Sequence, residues 1–191
     1  MAAVPKRTVD DLIVLGADSR SELYDGEIVP KAMSGPEHSF AQGNLTAWLV
    51  RRFQRAPGER WPGGWWIAPE LHVIYSSTTV YCHDLVGWRR DRLPERPTGG
   101  WIETRPDWVC EVLSPSHEKR DLVDKLSSLH AAGVPNYWVL DREKRILFLY
   151  RHDARAYLVR SVAAGEAIHA EPFEQVALRT GILFGDEDDD E

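Results

Sequence analysis

The chain has 191 residues, 43% of them hydrophobic, enough for one substantial core and a single domain. It lacks the run of about 18 apolar residues that a membrane-spanning helix needs, and Met1 to Thr8 lacks the apolar stretch of a signal peptide, so a cytoplasmic protein is expected. The formal charge of −7 is concentrated in six consecutive acids, Asp186 to Glu191, and the near-neutral remainder excludes a protein that coats nucleic acid by charge alone.

Residues 8–15 predict a short helix with Thr8 at its N-cap. Ser21 to Lys31 reads as two short strands joined at Asp25-Gly26, a pair that tolerates positive φ and so favours a hairpin. Ser34-Gly35-Pro36-Glu37 has the pattern of a capping box, with proline near the first helical position. The helix it opens carries Ala41, Leu45, Trp48, Leu49 and Phe53 at helical spacing, and Pro57-Gly58 and Pro62-Gly63-Gly64 end it. Three strands are expected next, at Trp65–Tyr75, Thr79–Trp88 and Trp108–Leu113, with residues 89–105 read as a loop. Ser114-Pro115-Ser116 closes the third strand and starts an amphipathic helix that runs to about Ala132, with Gly133 and Pro135 as its stop. Tyr137–Leu140 and Ile146–Tyr150 form a further hairpin, and Tyr157–Val162 adds a strand. The expected organisation is one domain over 1–185 and a disordered acidic tail over 186–191. That tail either solubilises the chain or occupies a basic groove. Cys82 and Cys110 offer neither a disulfide framework nor zinc spacing and read as buried thiols.

Each of the three central strands carries an acid among apolar residues: Glu70, Asp84 and Glu111. A carboxylate in such a place is costly unless it is paired, protonated or bound to a metal. Strand alternation puts Val80, Cys82, Asp84 and Val86 on one face and Asp107, Val109, Glu111 and Leu113 on another. If Asp84 and Glu111 converge, Cys82 and Cys110 point to opposite faces. Asp107 lies ~13 Å from Glu111 along the strand, too far to share an ion with ligands at about 2.1 Å, and reads as turn chemistry in Pro106-Asp107. On the following helix Leu122, Leu126 and Leu129 form the apolar stripe, and Lys125 stands about 60° to its side. A boundary lysine snorkels to solvent, unless the helix, which comes directly after the Glu111 strand, aims it at the acids.

Acids on adjacent strands with a lysine nearby suit a magnesium-dependent phosphodiesterase, since oxygen ligands without cysteine favour Mg²⁺ or Mn²⁺. The clusters Arg51, Arg52, Arg55, Arg60 and Arg89, Arg90, Arg92, Arg96 are either solvated faces or contacts to a phosphate backbone. Trp61, Trp65 and Trp66 read as packing rather than as a stacking surface for bases.

Six blocks in order carry a resemblance: Glu22-Leu-Tyr-Asp-Gly-Glu-Ile-Val29, Gly35-Pro-Glu-His-Ser39, Pro69-Glu-Leu71, residues 84–94 from Asp84 to Pro94, residues 106–116 from Pro106 to Ser116, and residues 132–141 from Ala132 to Asp141. Over nearly its whole length the chain resembles the Uma family of putative restriction endonucleases, a branch of the PD-(D/E)XK nuclease superfamily. The resemblance implies an α/β restriction-endonuclease-like core, a mixed central sheet flanked by helices, with an N-terminal β-hairpin. It also implies that Asp84 is the aspartate of the PD motif and Glu111 the acid of the third strand. Lys125 looks like the motif lysine, usually found where Leu113 stands, moved to the following helix. Glu70 matches a further acid, and His38 and Glu27 match positions near the site. His83 replaces the proline before Asp84 and is expected to face away from it and pack in the core. On this reading Asp84, Glu111 and Glu70 hold Mg²⁺ or Mn²⁺ and Lys125 assists hydrolysis of duplex DNA. A homodimer would bring the two sites that cutting both strands requires. Two readings compete: a binding module that kept the fold without activity, and a phosphodiesterase acting on RNA or a small nucleotide. The presence of all three acids favours the DNA-cleaving enzyme over the inactive module, although fold alone does not fix function.

Overall fold

Asp25 and Gly26 take φ of 45° and 85°, and so turn β1 (Ser21–Tyr24) directly into β2 (Glu27–Pro30). In the computed structural model, which describes residues 5–31, 35–114 and 120–189, this hairpin follows α1 (Val9–Leu15). The Thr8 amide donates to Asp11 Oδ2 at 2.8 Å and holds the start of that helix. The main helix α2 (Pro36–Phe53) buries Ala41, Leu45, Trp48, Leu49 and Phe53, as their spacing predicts. Gly35 takes its N-cap; Ser34, the expected cap, lies outside the described residues.

Two long strands come next, β3 (Trp65–Ser76) and β4 (Thr79–Arg89), paired antiparallel. The stretch expected to be loop holds a two-residue strand, β5 (Trp101–Ile102), parallel to β3. Two residues are too few to show any periodicity, which is why the sequence does not reveal it. After β6 (Trp108–Val112) comes a π-helical turn, Arg120–Asp124, that leads into α3 (Lys125–Ala131). The expected start of this helix at residues 115–119 lies outside the described residues. β7 (Asn136–Asp141), β8 (Ile146–His152) and β9 (Tyr157–Ala163) form a meander. Beyond the expected elements are a small sheet of β10 (Ala167–Ile168) with β11 (Leu178–Arg179) and a closing helix α4 (Thr180–Phe184).

Among the described residues the main sheet runs β2-β1-β4-β6-β7-β8-β9, with β3 also paired to β4 and β5 to β3. β6 and β7 are parallel, so the chain must cross over between them, and α3 lies on that crossover. One side of the sheet packs on α2 and α4, where Phe173 meets Trp65, Trp108 and Trp138. The other side packs on Leu129 of α3. Cys82 and Cys110 are buried free thiols, as expected. No described helix is long and apolar enough to cross a membrane.

Two irregularities position the site. The first is a reversal of faces. On the α2 side lie Trp65, Ile67 and Leu85, but on the α3 side lie Leu71, Val73 and Tyr81. Odd-numbered residues therefore change sides at Glu70 and Asp84, which stand between the pairs Pro69–Leu85 and Leu71–His83. Glu70 has φ 54°, a left-handed conformation that costs a non-glycine residue about 1–3 kcal/mol. The uninterrupted alternation expected from sequence, with Asp84 and Glu111 on one face, fails because this kink reverses both strands; His83 points away from Asp84, as expected, but toward Glu111. The second irregularity is a fork. Opposite β3, the edge of β4 is shared: β1 pairs at Leu23–Val80, and β6 pairs from Leu85–Cys110 to Gly87–Trp108. Between them residues 81–84 face a gap in the sheet.

Candidate active site

Side chains complete the backbone pairing that the fork leaves open. Glu22 Oε1, from β1, accepts the Cys82 amide at 2.9 Å, and Asp84 Oδ2 accepts the Val112 amide at 2.7 Å. Two carboxylates thereby stand where neighbouring strands would otherwise supply carbonyls, satisfying buried N–H groups that would be costly unpaired. Asp84 is almost wholly buried; it also accepts from His38 Nε2 at 3.0 Å and meets Lys31 Nζ at 2.7 Å through Oδ1. The Lys31 ammonium extends to Glu70 Oε2 at 3.1 Å, and Arg20 reaches the same oxygen at 2.6 Å. Gln42, one turn after His38 on α2, donates to Glu70 Oε1 at 3.0 Å and to the Asp84 carbonyl at 2.8 Å.

A second lysine orders the other half. Lys125 Nζ lies 2.9 Å from Glu111 Oε1, 3.1 Å from Glu22 Oε1 and 3.3 Å from Asp121 Oδ1, and it is buried. His83 Nδ1 is 2.6 Å from Glu111 Oε1, and its Nε2 is 2.7 Å from the Tyr75 hydroxyl. These partners assign the tautomer: Nδ1–H donates to the carboxylate, and the tyrosine hydroxyl donates to Nε2. His83 is thus buried, as expected, yet it touches the site because of the kink.

The electrostatics derive from burial and charge count. Counting histidines as neutral, five acids (Glu22, Glu70, Asp84, Glu111, Asp121) face three cations (Arg20, Lys31, Lys125), a surplus of two negative charges. Burial raises the Asp84 carboxyl, but Lys31 and the His38 hydrogen bond outweigh it and hold the group well below the usual range. Glu22 and Glu70 are also lowered on balance, their desolvation overcome mainly by Lys125 for Glu22 and by Lys31 for Glu70. Glu111 and Asp121 absorb the surplus. Burial lifts each to about 7, against the attraction of Lys125. Burial and the nearby Lys125 push His83 well below its ordinary value, so it is neutral.

Of the residues singled out in the sequence, Asp84, Glu111, Glu70, Lys125 and His38 come together here. Glu27 does not: it is exposed beside the hairpin turn, and Glu22, on the other strand, is the hairpin acid that reaches the fork. The arginines divide similarly. Arg52 is buried at 1% exposure, between Trp48 and Trp61, and binds Asp189 at 2.7 and 2.5 Å, which removes it from the set that could meet a phosphate backbone. Arg89 pairs with Asp91, and Arg90 lies 3.6 Å over the Trp66 ring. Arg51 and Arg55 are exposed. Asp107 accepts the Arg89 amide and the Arg92 side chain at the far end of β6, in keeping with turn chemistry. Glu22, Lys31, Gln42 and Asp121 were not anticipated. Spacing offers a signal for two of them, since Gln42 follows His38 by four residues and Asp121 precedes Lys125 by four, on common helix faces.

The donor chemistry fits a hard divalent cation: the carboxylates are oxygen donors in negative surplus. Their present placement is set by the lysines. Among the described residues no three histidine, cysteine, aspartate or glutamate side chains surround a common point as a metal ion requires.

A mixed sheet flanked by helices, forked where buried acids collect, defines an α/β protein with an acid-rich site in its sheet. The family model Uma2, described as "Putative restriction endonuclease", matches residues 8–181, and the chain belongs to that family. Among solved structures, the crystal structure of a putative nuclease of DUF820 from Anabaena variabilis matches with a TM-score of 0.78 at 19% identity, covering 93% of this chain and 97% of that one. At that identity the likeness is one of fold. No curated protein matches. Family and fold together support a nuclease function.

Proposed function

We propose that the chain is a metal-dependent nuclease that hydrolyses phosphodiester bonds of duplex DNA at the fork. The observation that carries this reading is the buried Lys125–Glu111 pair, 2.9 Å long, in the same gap as Asp84. Asp84, Glu70 and Glu111 would hold Mg²⁺ or Mn²⁺, which supplies a water of lowered pKa and offsets charge developing on the phosphate. The chain's own groups do the rest. Lys125, fixed by three carboxylates, orients the attacking water or faces the charge building on the phosphate. His83 and Lys125 both take Glu111 Oε1, and neither takes Oε2. His38 and the Val112 amide fix the Asp84 carboxylate. Arg20, half exposed beside Glu70, stands on the open side of the fork as a contact for the phosphate backbone.

A plasmid-nicking assay with Mg²⁺ or Mn²⁺ tests this. Wild-type protein should cut, and Glu111→Ala and Asp84→Ala should lose at least ~10²-fold in rate. Cutting by Glu111→Ala at the wild-type rate would remove the site assignment. A binding module without activity is favoured by one observation, the Lys31 ammonium between Asp84 and Glu70, and it predicts that no divalent ion is taken up at all.

A further inference from the structure

Two ammonium groups divide the acids of the fork. Lys125 takes Glu22, Glu111 and Asp121, whereas Lys31 takes Asp84 and Glu70. Only the Lys31 set includes an acid open to solvent, Glu70. Its Nζ sits 2.7 Å from Asp84 Oδ1 and 3.1 Å from Glu70 Oε2, contacting the very oxygens that a divalent ion between those acids would use at about 2.1 Å. An ammonium and a dication cannot share that point in a poorly hydrated site, since like charges repel strongly there.

We infer that Lys31 is a resident counter-cation of the metal subsite, which a divalent ion must displace to bind. The inference rests on the metal-dependent reading above. The geometry makes displacement feasible. The Lys31 backbone is anchored just past β2, its amide donating to the Arg20 carbonyl at 2.8 Å, so the four-carbon stem can swing without moving a strand. When it leaves, Asp84 keeps His38 and the Val112 amide, and Glu70 keeps Arg20 and Gln42. Neither acid is stranded. Lys31 thereby sets a threshold: without a metal its ammonium offsets the charge of Asp84 and Glu70, and only an ion that outcompetes that ammonium opens the subsite.

The test is calorimetric titration of Mn²⁺ alone into the full chain and its variants. Lys31→Met should bind Mn²⁺ at least tenfold more tightly than wild type. Arg20→Met removes an equal charge from Glu70 without vacating Asp84 and should gain far less; an equal gain would reduce the effect to general charge and overturn the inference. An unchanged or weaker affinity in Lys31→Met would overturn it too. A second measurement needs no variant. Saturating wild-type protein with Mn²⁺ should raise acylation of Lys31 by an N-hydroxysuccinimide ester several-fold, read by peptide mass spectrometry, with buried Lys125 as the unchanged reference. Mn²⁺ binding without that rise would sink the displacement while leaving the metal site standing. Absence of Mn²⁺ binding in wild type and Lys31→Met alike would bring down the metal-dependent reading, and the displacement with it.

Discussion

Burial lifts the Glu111 carboxyl to about 7 from an ordinary 4.5, since Lys125 offsets only part of the lost hydration and Asp84 adds repulsion. Within that window the folded chain binds the proton more tightly than the unfolded chain, so the stability contributed by Glu111 falls as pH rises from 4.5 to about 7. Asp84, Glu22 and Glu70 are lowered instead, and their contribution is lost only as pH falls through their own folded values. Urea unfolding at about pH 5 and about pH 8 separates the two senses. Glu111→Gln should gain stability relative to wild type on going to the higher pH, and a difference independent of pH would contradict the raised carboxyl. Lys125→Met should cost about 3–5 kcal/mol at the higher pH, because it strands buried carboxylates; a loss within error of zero would mean that those acids find other partners. At this scale the strand acids were legible, since a carboxylate among apolar strand residues announces itself. Lys31 and Glu22 were not. Nothing local to them tells that the hairpin lies across the gap in β4.

The kink at Glu70 is the decisive feature at the level of elements. It reverses β3 and β4 together, turning Asp84 toward α2 and His83 toward α3. Removing the carboxylate in two ways isolates its strain: Glu70→Gly should be about 1 kcal/mol more stable than Glu70→Ala, because only glycine is at ease at φ 54°. The opposite order in thermal unfolding would show that the left-handed backbone carries no strain. Helix phase was similarly hidden. The π-helical turn over Arg120–Asp124 adds residues to one turn, so a wheel of constant pitch misplaces the positions beyond it, and Lys125 is buried rather than marginal. By contrast α2 keeps its periodicity throughout. Leu45 is fully buried on its inner face, and Leu45→Ala should cost about 2–5 kcal/mol in urea unfolding.

Across the whole molecule, the acidic terminus lies against the body as far as it is described. Asp186 meets Arg145, Glu187 meets Arg179 at 2.8 Å, and Asp189 meets Arg52 beneath Trp61. The Arg52 contact lies at the C-terminal end of α2, some 14 residues or ~21 Å of helix from His38. Removing residues 186–191 should therefore cost stability, about 1–3 kcal/mol for the loss of Asp189 from a buried arginine, while leaving the fork intact. An unchanged melting temperature would mean that the terminus is solvated in solution.

Sequence by itself determined the elements that repeat a pattern: the Asp25-Gly26 hairpin, the apolar face of α2, the long strands, the β7–β8 turn and the three acids set among apolar residues. Local chemistry suffices there, because turn conformations and burial periodicities are written over a few neighbouring residues. Tertiary structure alone decided the rest. The reversal at Glu70, the gap between β1 and β6, and the division of five acids between Lys31 and Lys125 all depend on groups far apart in the chain. They meet along the edge of β4 away from β3, where residues 81–84 lack a backbone partner. Where no strand pairs residues 81–84 on the edge away from β3, side chains from the hairpin, α2 and α3 must satisfy the buried backbone and one another, and only the folded sheet shows which ones do.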